Sequence, residues 1–316
     1  IIGYRFIHVL NRIGTWVLGI GIVVGFAYIF THVQSDDFLT RGGFNLAGWL
    51  ATVSLAALWQ IAFAPYVSDY SRYLPADVKV SSTFWTTYLG SALGSSLSFI
   101  FGAVAVLAIP AGMDTMDAVK LATGTLGPIM LVLFLLSVIS HNALNLYGAV
   151  LSIITLVQTF AYRWIPTAKS RAVLSLIVLS ACCVVAVFAS ADFIGHFVDM
   201  VLVLLVVLVP WTAINLIDFY AIHKGDYDIQ SIFQVDGGIY GRYNPQALIA
   251  YAVGIVVQIP FMNTPLYVGP ISEHINGADL SWLVGLAITS PLYWWLASRD
   301  SAYRRRQTSA KLAAVA

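Results

Sequence analysis

Five polar side chains fall within nine residues of one long apolar stretch: Ser137, Ser140, His141, Asn142 and Asn145, in SVISHNALN. On a helix His141 and Asn145 stand at i and i+4 on one face, Asn142 flanks them, and Ser137 extends the row by one turn. An amide donates and accepts hydrogen bonds at once. Such a row suits a neutral solute whose flat edge alternates donors and acceptors. The hydroxyls of Ser137 and Ser140 are candidate cation ligands. His141 is a hydrogen-bonding group or a proton carrier, since imidazole titrates near neutral pH. Asn and Ser also join membrane helices to one another, at about 0.6 kcal/mol per bond. The clustering favours a solute site, because polar groups inside hydrocarbon are costly and mark solute paths.

A second stretch, ALWQIAFAPYVSDYSRYLP from Ala57 to Pro75, carries the complementary chemistry. Trp59 and Gln60 fall near the middle of an apolar helix, whereas most membrane Trp residues lie at interfaces. Trp59 offers a flat face for stacking, and Gln60 a further amide. Pro65 removes one backbone hydrogen bond, so the helix is expected to break there. Interrupted helices of this kind carry substrate and ion sites in secondary transporters. Asp69 and Arg72, i and i+3 if the helix persists, form either a local ion pair or a gate contact at the membrane edge. The two stretches are expected to build part of one solute site.

Both stretches require helices that cross a bilayer. Of the 316 residues, 59% are hydrophobic and 10% charged. A soluble domain carries about 25% charged residues, so this is an all-α polytopic membrane protein. Eight segments reach the roughly 20 residues that a bilayer requires. They are Ile13–Val33, Leu46–Tyr66, Phe84–Pro110, Leu126–Phe160, Ala172–Ser190, Phe193–Ile222, Pro245–Phe261 and Leu280–Ala297. With the first end in the cytoplasm, fourteen of the 16 Lys and Arg residues fall inside and only Arg41 and Lys120 outside. This is a strong positive-inside bias, and it puts both ends of the chain in the cytoplasm. The outer loops carry acids, among them Asp114, Asp117 and Asp279.

Other features are assigned to structure. Gly90, Gly94 and Ser98 recur every fourth position, a pattern for close helix packing. The loop from Lys224 to Asn244 contains Asp226, Asp228 and Asp236, but its spacing is not that of an EF-hand, and it is expected to be a cytoplasmic turn. Cys182 and Cys183 are adjacent in an apolar run and make neither a disulfide framework nor a metal site. Residues 298–316 are a basic cytoplasmic tail. The chain opens in mid-pattern with IIGYRFIHVLNR. It is expected to be one transmembrane transporter domain over residues 1–316, incomplete at its N-terminus.

At FAPYVSDYSRYLP (Phe63–Pro75) the chain resembles the nucleobase–cation symporter-1 family, which includes cytosine and purine permeases and relatives for uracil, thiamine, allantoin and hydantoins. SHNALNLYGAVLS (Ser140–Ser152) resembles the polar eighth helix of that family, and PWTAINLIDFYAIHKGDYDI (Pro210–Ile229) its tenth helix and exit loop. GYRFIHVLNR (Gly3–Arg12) is similar to the turn before its fifth helix. The resemblance implies a LeuT-type inverted-repeat fold of twelve helices, of which this chain would hold helices five to twelve. It implies substrate contacts at Asn145, His141 and Asn142, and an aromatic contact at Trp59 with Gln60 as a rival. It implies cation ligands around Ser137 to Ser140. The adjacent hydroxyl pair of some sodium-coupled relatives is absent, since Ile139 precedes Ser140, so sodium and proton coupling both stay open.

The expected function is secondary active import of a nucleobase or related small heterocycle through the cell membrane, coupled to Na+ or H+. The expected partners are that heterocycle, the coupling cation and the lipid bilayer, with no cofactor, metal or nucleic acid. A membrane enzyme would need a nucleophile–base pair or a metal cluster, and neither spacing is present. An uncoupled channel or a transport-dead sensor are the rivals from other classes.

Overall fold

The computed structural model describes residues 4–33, 43–71, 74–75, 77–109, 112–161, 163–188, 193–234, 236–264, 266–275 and 277–300. Eleven α-helices follow one another among them: α1 (Tyr4–His32), α2 (Leu46–Ser71), α3 (Val80–Leu107), α4 (Thr115–Ala122), α5 (Gly127–Phe160), α6 (Ala168–Phe188), α7 (Phe193–Ile217), α8 (Ile229–Ile232), α9 (Pro245–Gln258), α10 (Pro270–His274) and α11 (Ser281–Ser298). A two-residue hairpin, β1 (Asn263–Thr264) with β2 (Tyr267–Val268), lies between α9 and α10. Among the described residues six helices are long and apolar enough to cross a membrane: Asn11–His32, Leu46–Ser68, Val80–Leu107, Gly124–Phe160, Ala168–Phe188 and Asp199–Ile222. The last two expected spans are helical as well. However, α9 has only 14 residues before a 3-10 turn, and α11 has 18 residues that include Ser, Thr, Pro, Tyr and Trp. By length and hydropathy six of the eight expected spans qualify among the described residues, and α9 and α11 fall short of that measure.

The chain divides into two compact units, residues 1–43 with 66–191 and residues 44–65 with 192–316. The first contains α1, α3, α4, α5 and α6. Its core is apolar throughout: Ile22 and Ile29 of α1, Phe101, Val104 and Ala105 of α3, Ala118, Val119 and Ala122 of α4, and Met130 of α5. Close approach is set by Gly21 and Gly25, one helical turn apart on α1. A β-carbon added at Gly21 would lie 2.8 Å from Leu133 Cδ1, and one at Gly25 2.8 Å from Phe101 Cε2. Phe26 meets Phe101 edge-on at 5.1 Å, a favourable aromatic geometry. Gly90 and Gly94 meet no such neighbour among the described residues. They are exposed, and a β-carbon at either would meet no heavy atom within 4 Å.

Helix α5 has 34 residues, about 51 Å at 1.5 Å per residue. It enters through the short α4, whose first turn is held by Asp114, the carboxylate accepting from Met116 N at 2.9 Å. Helix α6 has no buried residue, and both cysteines on it are exposed.

In the second unit α7, α9 and α11 pack on one another. Leu58 from α2 is buried with Leu205 and Val209, flanked by Trp282 and Leu286. Pro210 lies inside α7 and has no N–H to give to the Val206 carbonyl. The fully buried Gln258 of α9 supplies the missing donor, its Nε2 reaching Val206 O at 2.9 Å. Gly254 and Gly285 leave room for this arrangement, since a β-carbon at Gly254 would strike the Pro210 ring and one at Gly285 the Gln258 side chain.

The helix α2 corrects a second expectation. It does not break at Pro65 but continues to Ser71. The ring costs a hydrogen bond one turn back, and the neighbouring turns carry the helix past it. The boundary between the two units nevertheless falls between Pro65 and Tyr66.

Candidate functional site

The polar row of α5 is helical throughout, so its predicted spacing holds in space. Two faces emerge from it. Ser140 turns towards α1, where its hydroxyl donates to Asn11 Oδ1 at 2.5 Å, and Leu144, one turn on, is buried. His141, Asn142 and Asn145 are exposed. The His141 ring turns Nδ1 to the Ser137 carbonyl at 3.1 Å. That contact assigns the proton to Nδ1 and leaves Nε2 an acceptor. Ser137 is half-buried and anchors the imidazole through its backbone. The arrangement presents two amides and an oriented imidazole on one side of α5, and commits the Ser140 hydroxyl to a neighbouring helix.

Trp59 and Gln60 lie on the part of α2 that belongs to the second unit. Leu58 is buried against α7, while Trp59 is 52% exposed and Gln60 is exposed as well. Asp69 is on the last turn of α2, and Arg72 lies outside the described residues. Trp294 and Trp295 are each about half exposed, and the Arg299 guanidinium sits 4.3 Å over the Trp295 ring.

Two polar centres of the second unit are assembled by contacts distant in sequence. The first surrounds Asp279, read from sequence only as a loop acid. Its carboxylate is buried at the start of α11, where Oδ1 accepts from Ser281 N at 2.9 Å and Ser281 Oγ at 2.6 Å, and Oδ2 from Asn263 N at 3.1 Å. Ser54 of α2 joins it, donating to Asp279 O at 3.0 Å and accepting from Trp282 Nε1 at 3.0 Å. An anionic cap suits the positive end of a helix.

The second centre surrounds Asp218. Here α7 widens into a π-helical turn, Asp218–Ile222, closed by His223 N on Asp218 O at 2.9 Å. Lys224 and Gly225 then take left-handed backbone angles, φ 52° and 77°, and end the helix. Asp218 Oδ1 accepts from the Tyr293 hydroxyl at 2.5 Å, and Oδ2 from the Tyr227 hydroxyl at 2.7 Å. His223 Nδ1 lies 3.1 Å from Oδ2. Burial, then the hydrogen bond to Asp218, push the Tyr227 phenol well above the usual tyrosine range. In the loop beyond, the acids cap backbone amides. Asp228 Oδ1 accepts from Gln230 N and Ser231 N at the start of α8, and Asp236 Oδ1 from Gly238 N. Hydrogen bonding to Ser231 holds the Asp228 carboxyl below its ordinary range. Among the described residues no group of three acidic, His or Cys side chains is placed to hold a metal ion.

Six long apolar helices among the described residues mark a multi-pass membrane protein. Residues 1–285 match the family described as permease for cytosine/purines, uracil, thiamine, allantoin, and the chain belongs to that family. It is 34% identical over 299 residues to a Bacillus subtilis (strain 168) protein named "Putative purine-cytosine permease YxlA", covering 94% of this chain and 65% of that one. It is 23% identical over 313 residues to the Emericella nidulans protein "Purine-cytosine permease fcyB", covering 92% of this chain and 59% of that one. The chain thus spans about three fifths to two thirds of the length of these curated relatives, which are permeases rather than enzymes. No solved structure matches it.

Proposed function

We propose that this chain is part of a secondary active transporter that imports a nucleobase or a related small heterocycle by alternating access. The observation that carries the reading is the exposed row of His141, Asn142 and Asn145 at the middle of an otherwise apolar helix. Polar groups of this kind are retained inside a bilayer where they serve a solute or ion path. Amides read the alternating donor and acceptor edge of a heterocycle, and the family and the names of both relatives support that class of substrate. In this reading Asn145 and Asn142 bind the edge of the ring, and His141 presents Nε2 as an acceptor. Trp59 stacks on the ring, with Gln60 as the rival contact. Asp69 and Arg72 serve as a gate.

The proposed architecture is the LeuT-type fold, with the first end and the C-terminus in the cytoplasm. The coupling ion is Na+ or H+. Ser140 donates its hydroxyl hydrogen to Asn11 and keeps its oxygen lone pairs, so it stays a candidate cation ligand beside Ser137. The test is uptake of radiolabelled cytosine, adenine, hypoxanthine, uracil and allantoin by the full-length protein, with Asn145→Ala alongside. The expected result is saturable uptake of at least one of them, lowered at least tenfold by the substitution. Uptake of none, or unaltered uptake by the variant, overturns the reading. Imposed sodium and proton gradients then identify the coupling ion.

A further inference from the structure

Contacts between helices fix how far α11 reaches in the membrane. Trp282 and Leu286 pack against the buried Leu205 and Val209 of α7. Further along both helices the Tyr293 hydroxyl donates to Asp218 Oδ1 at 2.5 Å. The two helices therefore run in the same direction. The apolar span that contains α7 ends at Ile222, one turn past Asp218. Tyr293 thus stands at the edge of the hydrocarbon, whatever the hydropathy of α11 itself. Asn244, just before α9, reaches the same hydroxyl at 3.4 Å and marks the same level.

The side chains around that level are aromatic and face outward. Tyr220 and Tyr243 are exposed, and Trp294 and Trp295 are about half exposed. Exposed Tyr and Trp gathered at one depth are the pattern of a membrane–water interface, where such rings sit among headgroups. Arg299 comes one turn after Trp295. By helical rise it starts about 9 Å beyond Tyr293, whereas the headgroup layer on one side of a bilayer is about 5–8 Å deep. Its guanidinium turns back over the Trp295 ring at 4.3 Å, which returns the charge to that layer.

Stacking occupies the flat face of a guanidinium and leaves its N–H edges to other partners. Among the described residues the guanidinium of Arg299 faces that ring and no carboxylate. Two features oppose an anion at this place, the carbonyl end of α11 and Asp300. The carbonyls of Trp295, Leu296 and Ala297 already accept, from Ser298 Oγ at 3.0 Å, Arg299 N at 3.2 Å and Asp300 N at 3.1 Å. Asp300 is half-buried and within electrostatic reach of Tyr293. Against them the sequence sets Arg304, Arg305, Arg306 and Lys311 beside Arg299.

We propose that the end of α11 binds the phosphate of an anionic phospholipid, with Arg299 as a fork held in place by the Trp295 ring. A guanidinium edge matches phosphate oxygens through paired N–H bonds. A zwitterionic lipid has the same phosphate but brings its own cation, which competes for it. A free phosphate has no acyl chains to cover the exposed faces of Trp294 and Trp295, so the indoles select a lipid. The site lies past residues 1–285, the part matched to the family. The inference rests on the location of the protein in a membrane and not on which solute it carries.

The test is native mass spectrometry of the delipidated full-length protein in neutral detergent micelles, counting the lipids it retains. The probes are palmitoyl-oleoyl phosphatidylglycerol, the matching phosphatidylcholine and inorganic phosphate. The wild type is expected to hold phosphatidylglycerol about fivefold more tightly than phosphatidylcholine, as one basic side chain at an anionic surface provides. Arg299→Gln is expected to lose most of that preference with an unchanged unfolding temperature, which separates a lost contact from a lost fold. Arg299→Lys keeps the charge without the planar fork, and is expected to keep only part of the preference. Trp295→Leu frees the guanidinium from its stack and is expected to weaken phosphatidylglycerol binding about threefold. Replacing Arg304, Arg305 and Arg306 with Gln is expected to lower retention while leaving the effect of Arg299→Gln in place. Equal retention of the two lipids by the wild type overturns the proposal, and so does an Arg299→Gln variant that keeps the preference. Displacement of phosphatidylglycerol by millimolar inorganic phosphate overturns it too, since the site would then take a free anion. No uptake is measured, so the outcome stands apart from the transport reading.

Discussion

Replacing Gln258 with Leu measures what a proline inside a membrane helix costs when its repair is taken away. Pro210 leaves the Val206 carbonyl of α7 without its helical donor, and Gln258 Nε2 supplies one at 2.9 Å. The same amide reaches Gly254 O at 2.8 Å, but that carbonyl has a donor within α9 already, so only Val206 O is left bare. A buried acceptor without a partner costs about 1–3 kcal/mol. Hydrogen bonds between membrane helices average about 0.6 and reach about 1.7 kcal/mol. Gln258 Oε1 has no partner among the described residues, and Leu removes that penalty too. The net expected loss is about 1 kcal/mol, read by equilibrium unfolding of the full-length protein in mixed micelles. Pro210→Ala restores the N–H at position 210, so Val206 O recovers its helical donor. In that background Gln258→Leu is expected to cost close to nothing. A double-mutant cycle isolates the coupling. An equal cost of Gln258→Leu with and without Pro210 refutes the assignment of Gln258 as the repair.

Gly25→Ala is expected to destabilise the first unit by about 1–3 kcal/mol through overpacking on Phe101, and Phe101→Leu should recover part of it in the same unfolding assay. Asp279→Ala strips the α11 start of its cap and leaves Ser281 N and Asn263 N without their acceptor. The expected loss is about 1–3 kcal/mol, checked by thermal unfolding in detergent. The Tyr227 phenol is held protonated by burial and by Asp218. Its contribution is present in full below the ordinary tyrosine value of about 10 and falls away as pH rises beyond it. The tyrosinate absorbance lost in Tyr227→Phe should appear only at higher alkaline pH than for a free phenol, and Asp218→Asn should bring it down.

What the sequence reveals of this fold depends on how local each cause is. The helices are legible because apolar runs of this length have few alternatives in a bilayer. The roles of individual small residues are not. Gly90 and Gly94 carry the same four-residue spacing as Gly21 and Gly25, yet only the second pair meets a neighbour, because the face a helix buries is decided by partners distant in sequence. Pro65 is expected from the sequence to break its helix, yet α2 runs through it as α7 runs through Pro210. At Pro210 the reason is a glutamine 48 residues further on, which no spacing rule connects to it. The candidate site is divided in the same way. The face shared by His141 and Asn145 follows from helical geometry. The engagement of Ser140 by Asn11, 129 residues apart, does not, and neither does the bond from Tyr293 to Asp218, 75 residues apart.

The length of α5 has a consequence for the row it carries. A rod of about 51 Å in a hydrocarbon slab of about 30 Å must lean, protrude, or do both. The middle of Gly127–Phe160 falls between Ala143 and Leu144, so His141 and Asn145 straddle it. When a rod leans about its centre, its ends travel and its centre does not. A change of about 20° in tilt displaces each end by about 9 Å and these side chains by about 1 Å. A thicker or thinner bilayer is thus felt at the ends of α5, while the amides and the imidazole keep their depth.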